Sequence, residues 1–356
     1  MKKTSFLILV LILAYSGVFG QATAPKYSNE FLALGVGARA FGMSNVQAAI
    51  ANDVTAGYWN PAGILGLKSK YEIALMHSEY FAGIAKYDYA GFATRIDSNS
   101  VIALTGIRFG VDDIPDTRYL YDANGAINYN NIRYFSAADY AFLLSYARKS
   151  NLIKGLNFGA NFKVIHRVVG SFANAWGFGL DAGAQYQVKG WQLGVMAKDI
   201  TGTFNAWTHN TSLVRDVYAQ TGNTIPENSI EVTLPKLILG AGRYIKVHKK
   251  VGILAAADLD LTFDGKRNVL IKSDLASIDP KVGIEADYQN LVFLRLGVGN
   301  FQQIKEFDNG TSTSFQPNFG VGVKIKRISI DYALTDIGNA SEALYSNVFS
   351  LKLALD

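Results

Sequence analysis

From Leu156 to the C-terminus the chain alternates apolar and polar side chains in stretches of about ten residues, each ended by a break. Residues 177–188 are the clearest case: Phe178, Leu180, Ala182, Ala184, Tyr186 and Val188 alternate with Gly177, Gly179, Asp181, Gly183, Gln185 and Gln187. Period-two alternation puts the first set on one face of a strand and the second on the other. A soluble sandwich repeating this pattern so often would bury many charges. A transmembrane barrel does not, because one face meets lipid and the other a polar lumen.

The pattern predicts strands at 70–79, 86–96, 101–110, 138–148, 156–168, 177–188, 191–199, 235–246, 251–263, 281–288, 291–300, 317–325, 328–335 and 345–355. That is about fourteen, an even number of the length a tilted span requires. Alternation is least clear in the first three. Short connections such as Lys189-Gly190, Gln289-Asn290 and Lys326-Arg327 alternate with longer ones, notably 111–137 and 200–234. Outer-membrane barrels show this contrast, with tight periplasmic turns and larger extracellular loops. The expected architecture is therefore an all-β transmembrane barrel over 70–356.

Strand parity also predicts the lumen. Asn157, Asn161, Lys163, Arg167, Asp181, Gln185, Gln192, Lys198, Asp258, Asp260, Glu285, Asp287, Arg295, Lys324, Asp331 and Lys352 share the polar face. A lipid-facing charge costs about 2–4 kcal/mol at the midplane, so charges gathered on one parity fix the orientation. With both signs near balance, these residues either pair across a narrow interior or line a solute pathway.

The N-terminus adds the export route. Lys2 and Lys3 precede an apolar run, Phe6–Tyr15, and small residues lead through Val18 to Gly20. This is the form of a signal peptide cleaved near Gly20, with a run too short to span a membrane as a helix. Export implies the outer membrane of a Gram-negative cell. The absence of cysteine excludes a lipoprotein anchor, disulfides and thiolate chemistry. Loss of Lys2 and Lys3 leaves 32 basic against 29 acidic side chains, a mature charge of +3. That mild charge implies no nucleic-acid partner. Tyr 19 and Phe 21 against 7 Pro suit a β-rich chain with aromatic belts, and outer-membrane lipid is the first partner expected.

Residues 21–69 do not alternate. They contain Gly37-Ala38-Arg39-Ala40-Phe41-Gly42-Met43 and Asp53…Tyr58-Trp59-Asn60-Pro61-Ala62-Gly63. Asp53 is placed to cap a short helix through Trp59, which Pro61 stops. Too apolar for a free tail, this segment is expected to pack into the periplasmic mouth as a plug. On these two motifs the chain resembles the PorV/PorQ family of Bacteroidetes outer-membrane proteins, themselves similar to the FadL fatty-acid transporters. The resemblance implies a FadL-like fourteen-stranded barrel with an N-terminal plug, in which Gly37, Ala38, Arg39, Asn60, Pro61 and Ala62 carry the plug motif. It also implies a role in type IX secretion, with the translocon or exported cargo as partners. One departure is the last strand, which ends in Asp356 instead of the usual aromatic.

No enzymatic constellation stands out. A lipid-facing phospholipase needs a Ser and a His held together. His166 is flanked on its face by Val164 and Val168, and His77 by Leu75 and Glu79. Asp122-Ala-Asn-Gly125 and Asp308-Asn-Gly310 are read as tight turns or calcium ligands, without the full loop that a calcium site needs. No cofactor is expected. Tyr119, Tyr121, Phe204 and Trp207 in the two long loops either bind a partner or fold over the mouth. The leading expectation is a secretion-associated interaction protein, with FadL-like uptake of hydrophobic molecules as the alternative. A polar lumen counts against the alternative, which needs an apolar pocket.

Overall fold

The computed structural model describes residues 28–122, 124–215, 218–219, 222, 224–305, 310–335 and 346–356. The signal peptide expected at 1–20 and most of the Asp308-Asn-Gly310 turn lie outside them. The strands are β1 (Tyr71–Tyr80), β2 (Ala85–Arg95), β3 (Ser100–Asp116), β4 (Arg133–Lys149), β5 (Leu156–Val169) and β6 (Ala173–Val188). They continue as β7 (Trp191–Lys198), β8 (Thr203–His209), β9 (Ser229–Thr233), β10 (Lys236–His248), β11 (Val251–Thr262) and β12 (Ile271–Lys272). The last five are β13 (Ser277–Tyr288), β14 (Val292–Lys305), β15 (Thr311–Ile325), β16 (Ile328–Thr335) and β17 (Ser346–Leu355).

These form one closed antiparallel cylinder. Each stave pairs with the next, and β17 closes on β1 from Tyr71↔Leu355 to Glu79↔Asn347. Strands β7 and β8 share one stave, both pairing with β6, and β9 and β10 share the next. Strand β12 only adds two rungs to β13. Among the described residues the barrel therefore has fourteen staves, the number expected from the sequence.

Two turns show why the short connections work. Lys189 and Gly190 have φ of 47° and 83°, and Gln289 and Asn290 have 55° and 54°. Left-handed residues in both central positions match the twist of a two-residue hairpin.

The long connections are shorter than expected. Strand β3 runs on to Asp116 and β4 begins at Arg133, while β8 and β9 lie inside the expected loop 200–234. Phe204 and Trp207 are consequently strand residues of β8, not loop residues. The alternation had broken there for two reasons. Registers shift between Val111 and Ile114, where Asp113 takes φ 56°, and the β7/β8 stave is interrupted where Asp199 and Gly202 turn left-handed. Each extra residue inverts the parity that a strand reading relies on.

Residues 28–67 lie inside the cylinder as short helical turns at Glu30–Leu32, Ala38–Phe41, Ala56–Trp59 and Pro61–Gly66. Asp53 stands outside the expected cap. Thr55 is the N-cap of Ala56–Trp59, and Asp53 instead accepts from the Thr55 amide at 3.0 Å. Glycines on the inward rows admit the segment: Gly42 faces Gly320, Asn60 faces Gly183, and Met43 and Ser44 face Gly297. All three wall glycines lie in the halves of their strands nearer the short turns. The first described residues reach the other half, where Asn29 bonds Thr233 at 2.7 Å and Asn205 at 2.9 Å.

A Cβ on Gly320 would stand 3.0 Å from the Gly42 Cα. Overpacking of this kind costs about 1–3 kcal/mol. We expect Gly320→Val to lower the temperature at which the barrel loses its compact gel migration; an unchanged transition would show that the two backbones are not in contact.

Candidate functional site

The interior gathers charge, aromatic surface and cavity together, and its chemistry divides into two arcs. The first arc is polar. Lumen-parity residues of β5–β17 face the N-terminal segment and satisfy its backbone, which no strand ladder can do. Asp258 accepts from the amides of Gln47 and Ala48 at 2.8 and 2.9 Å. Gln185 donates to the carbonyls of Ala48 and Ala51, and Asn161 to that of Gly57. The motif residue Asn60 donates to the Ala48 carbonyl at 2.8 Å and accepts from the Ala62 amide at 3.2 Å, while Pro61 starts the next turn. Gly37 takes φ 85° and its amide meets the Met76 sulfur; the Ala38 amide donates to Ser350.

The charges form chains. Arg39 binds Glu285 through two donors at 2.9 and 3.0 Å; Glu285 also takes Arg295 at 2.6 Å, and Arg295 reaches Asp331 at 2.7 Å. Lys352 meets Asp53 at 2.5 Å. Burial opposes ionisation of Asp53, but Lys352 and Arg39 outweigh it and hold the carboxyl well below the usual carboxylate range. Lys163 bridges Asp181, at 2.7 Å, and Asp199. Asp260 takes Lys236 and Lys281 at 2.6 and 2.7 Å. Arg167 pairs with Asp139 and Glu231 near the long-loop end, and the Tyr244 hydroxyl donates to Asp287. Lys324 is half-buried on the same row. The expected lumen residues are thus inward, and most bind each other or the inserted segment. Lys198 differs: its ammonium lies 4.1 Å from the Tyr58 ring and 5.6 Å from the Trp59 ring, over their faces.

The second arc is apolar and departs from expectation. Inward residues of β1–β5, among them Tyr87, Tyr89, Ile107, Leu143 and Ile165, pack on Phe31, Val36, Tyr58, Trp59 and Ile64 as one cluster. The lumen is therefore not polar throughout. The available signal was the weak alternation of the first strands, which carry apolar side chains on both faces because the inner face packs against protein.

Several cavities adjoin the segment. One of about 110 Å³ lies beside Lys198, Tyr58, Trp59, Leu143 and Asp258. A second of about 690 Å³ opens between Leu34, Phe41, Tyr80, Lys236, Arg267 and Lys281. Of the loop candidates, Tyr119 and Tyr121 are exposed, with Tyr119 between the guanidinium groups of Arg118 and Arg133. Phe204 faces outward against Phe178, and Trp207 donates to Glu231 within the mouth.

The outward face holds a second departure. His77, Glu79, Lys86, Asp88, Arg108 and Asp112 lie on the parity expected to be free of charge, and His77 bonds Asp88 at 2.7 Å. His166 is outward as expected, stacked between Tyr140 and Trp176.

No family model and no curated protein matches the chain. Solved structures do. The toluene transporter TbuX of Ralstonia pickettii superposes with a TM-score of 0.52 at 13% identity, covering 90% of this chain and 99% of that one. The CymD monoaromatic hydrocarbon channel gives 0.56 at 12%, covering 90% and 98%. A Pseudomonas aeruginosa FadL homologue gives 0.51 at 10%, covering 89% and 97%. The chain has the FadL-like barrel fold.

Glu285 is the shared anion of Arg39 and Arg295. Removing one partner of a buried ion pair costs about 3–5 kcal/mol. Glu285→Ala should therefore lower the unfolding free energy in detergent by that order, and a loss below 1 kcal/mol would show a solvated contact.

Proposed function

We propose that the protein resides in the outer membrane of a Gram-negative cell, exported by its N-terminal signal, and passes small hydrophobic molecules inward without chemical change. The observation that carries this reading is the apolar arc. Tyr87, Tyr89, Ile107, Leu143 and Ile165 give one side of the interior an apolar lining directly behind the wall, packed on the inserted segment. The FadL-like fold, shared with proteins described as toluene transporters and hydrocarbon channels, supports the same reading. The paired charges of the opposite arc then anchor the N-terminal segment, and an apolar solute slips along the side where packing alone holds it.

The test uses a Gram-negative host lacking its own FadL-like barrel. Expression should raise uptake of labelled toluene at low concentration several-fold and leave uptake of a sugar unchanged. Ile107→Lys, which puts a cation into the apolar arc, should abolish the gain while the folded barrel still reaches the outer membrane. Sugar uptake without hydrocarbon uptake would overturn the reading.

One observation favours a second reading, a PorV/PorQ-like part in type IX secretion. Tyr119, Tyr121 and Tyr129 are all exposed in one long connection between Arg118 and Arg133, and Tyr134 is exposed at the start of β4. Tyrosine and arginine are the side chains that dominate protein-binding hot spots. After mild detergent extraction, stoichiometric translocon or exported cargo, lost with Tyr119→Ala and Tyr121→Ala, is the expected result of this reading. A barrel that comes out alone sinks it.

A further inference from the structure

We infer that the outward face of β1–β3 is a docking site for one membrane lipid whose headgroup pairs an amine with a phosphate. The inference rests on the membrane reading above and concerns the opposite side of the wall from the proposed route.

Three features meet there. First, the charges stand where the neighbouring staves are oily. Arg108 is directly opposite Tyr140 in the β3–β4 register, and Asp88 links it to His77. One outward step nearer the short turns come Leu75, Ala90, Gly106 and Phe142. Second, these residues surround a groove of about 670 Å³, closed on its far side by Phe349, Leu351 and Ile330. Ala90 and Gly106 form its floor because their small side chains leave the space that larger outward residues fill elsewhere. The backbone behind is unbroken, with continuous pairing from Ala85↔Val111 to Arg95↔Val101. The groove is therefore a surface feature and not a gap in the wall.

Third, the charges are mixed and loosely joined. Arg108 lies 3.7 Å from Asp88 and 3.8 Å from Asp112, and Lys86 lies 3.7 Å from Asp112. These separations are too long for hydrogen bonds, so guanidinium donors remain for an incoming acceptor. Arginine recognises phosphate oxygens in pairs. Glu79, Asp88 and Asp112 outnumber Lys86 and Arg108, so a purely anionic headgroup would add to the negative excess, whereas an ammonium beside the phosphate cancels the headgroup's own charge. The order along the wall is charge toward the long loops and apolar groove toward the midplane. An upright lipid has that order, with its chains lying over Ala90 and Gly106.

Native mass spectrometry of the full-length barrel, loaded with phosphatidylethanolamine, phosphatidylglycerol or diacylglycerol of matched chains, tests this. One phosphatidylethanolamine should be retained several-fold better than either other lipid. Arg108→Gln should remove that preference. Gly106→Phe should lower retention of all three, since a Cβ there meets the Phe142 ring only at 3.8 Å and the change fills the groove without disturbing the wall. Equal retention of the three lipids, an unchanged preference in Arg108→Gln, or a stoichiometric protein released by Gly106→Phe would each overturn the proposal. Compact gel migration and insertion into bilayers are checked for every variant. Loss of the lipid preference with an inserted barrel removes only the site, whereas a barrel that never inserts removes the membrane reading itself.

Discussion

Irregular backbone held inside a barrel has to find a hydrogen-bond partner for each buried amide and carbonyl, and the rest of the structure depends on this constraint. Strands meet it by pairing around the cylinder. The turns between Val36 and Leu67 cannot, so the wall supplies side chains to them. Asp258 takes two adjacent amides, Gln185 two carbonyls, and Asn60 reaches from the segment back to its own earlier turn. Inward glycines are the steric counterpart. Gly297 and Gly320 let backbone approach backbone, and Gly183 admits the Asn60 side chain, at positions where any side chain would collide.

The same constraint explains why most of the interior charges are paired and not left free. A buried ion pair gains little over an apolar replacement, but a broken one leaves an uncompensated charge. The Arg39–Glu285–Arg295–Asp331 chain and the Lys352–Asp53 pair therefore act as location devices, holding the segment in one register against β13, β14, β16 and β17. The apolar arc under β1–β5 works differently. Its packing is non-directional and sets no register. One side of the interior is thus pinned and the other only filled.

The outward cluster extends that asymmetry to the lipid side. The β1–β2 hairpin ends at Tyr80 and Ala85, whereas β3 and β4 continue well beyond it. A short hairpin brings its polar end closer to the midplane, and His77, Asp88 and Arg108 sit on that lowered rim.

Much of the architecture was legible in the chain, because a strand's two faces meet different solvents and the period of two records it. Fourteen staves, the tight turns, and the inward placement of Asp181, Glu285 and Lys352 follow from parity. The motif glycines and Asn60 likewise marked a confined, non-strand segment. Parity fails where both faces of a strand meet apolar surroundings, as in β1–β3, and where an odd number of inserted residues reverses it, one at Asp113 and three around Asp199. There only the folded chain decides. Tyr87 becomes core by packing on the inserted segment, Asp88 and Arg108 turn outward, and Phe204 and Trp207 join a strand. Alternation reports the solvent on each side of a strand, while the partner on each side is chosen by contacts between residues far apart in sequence.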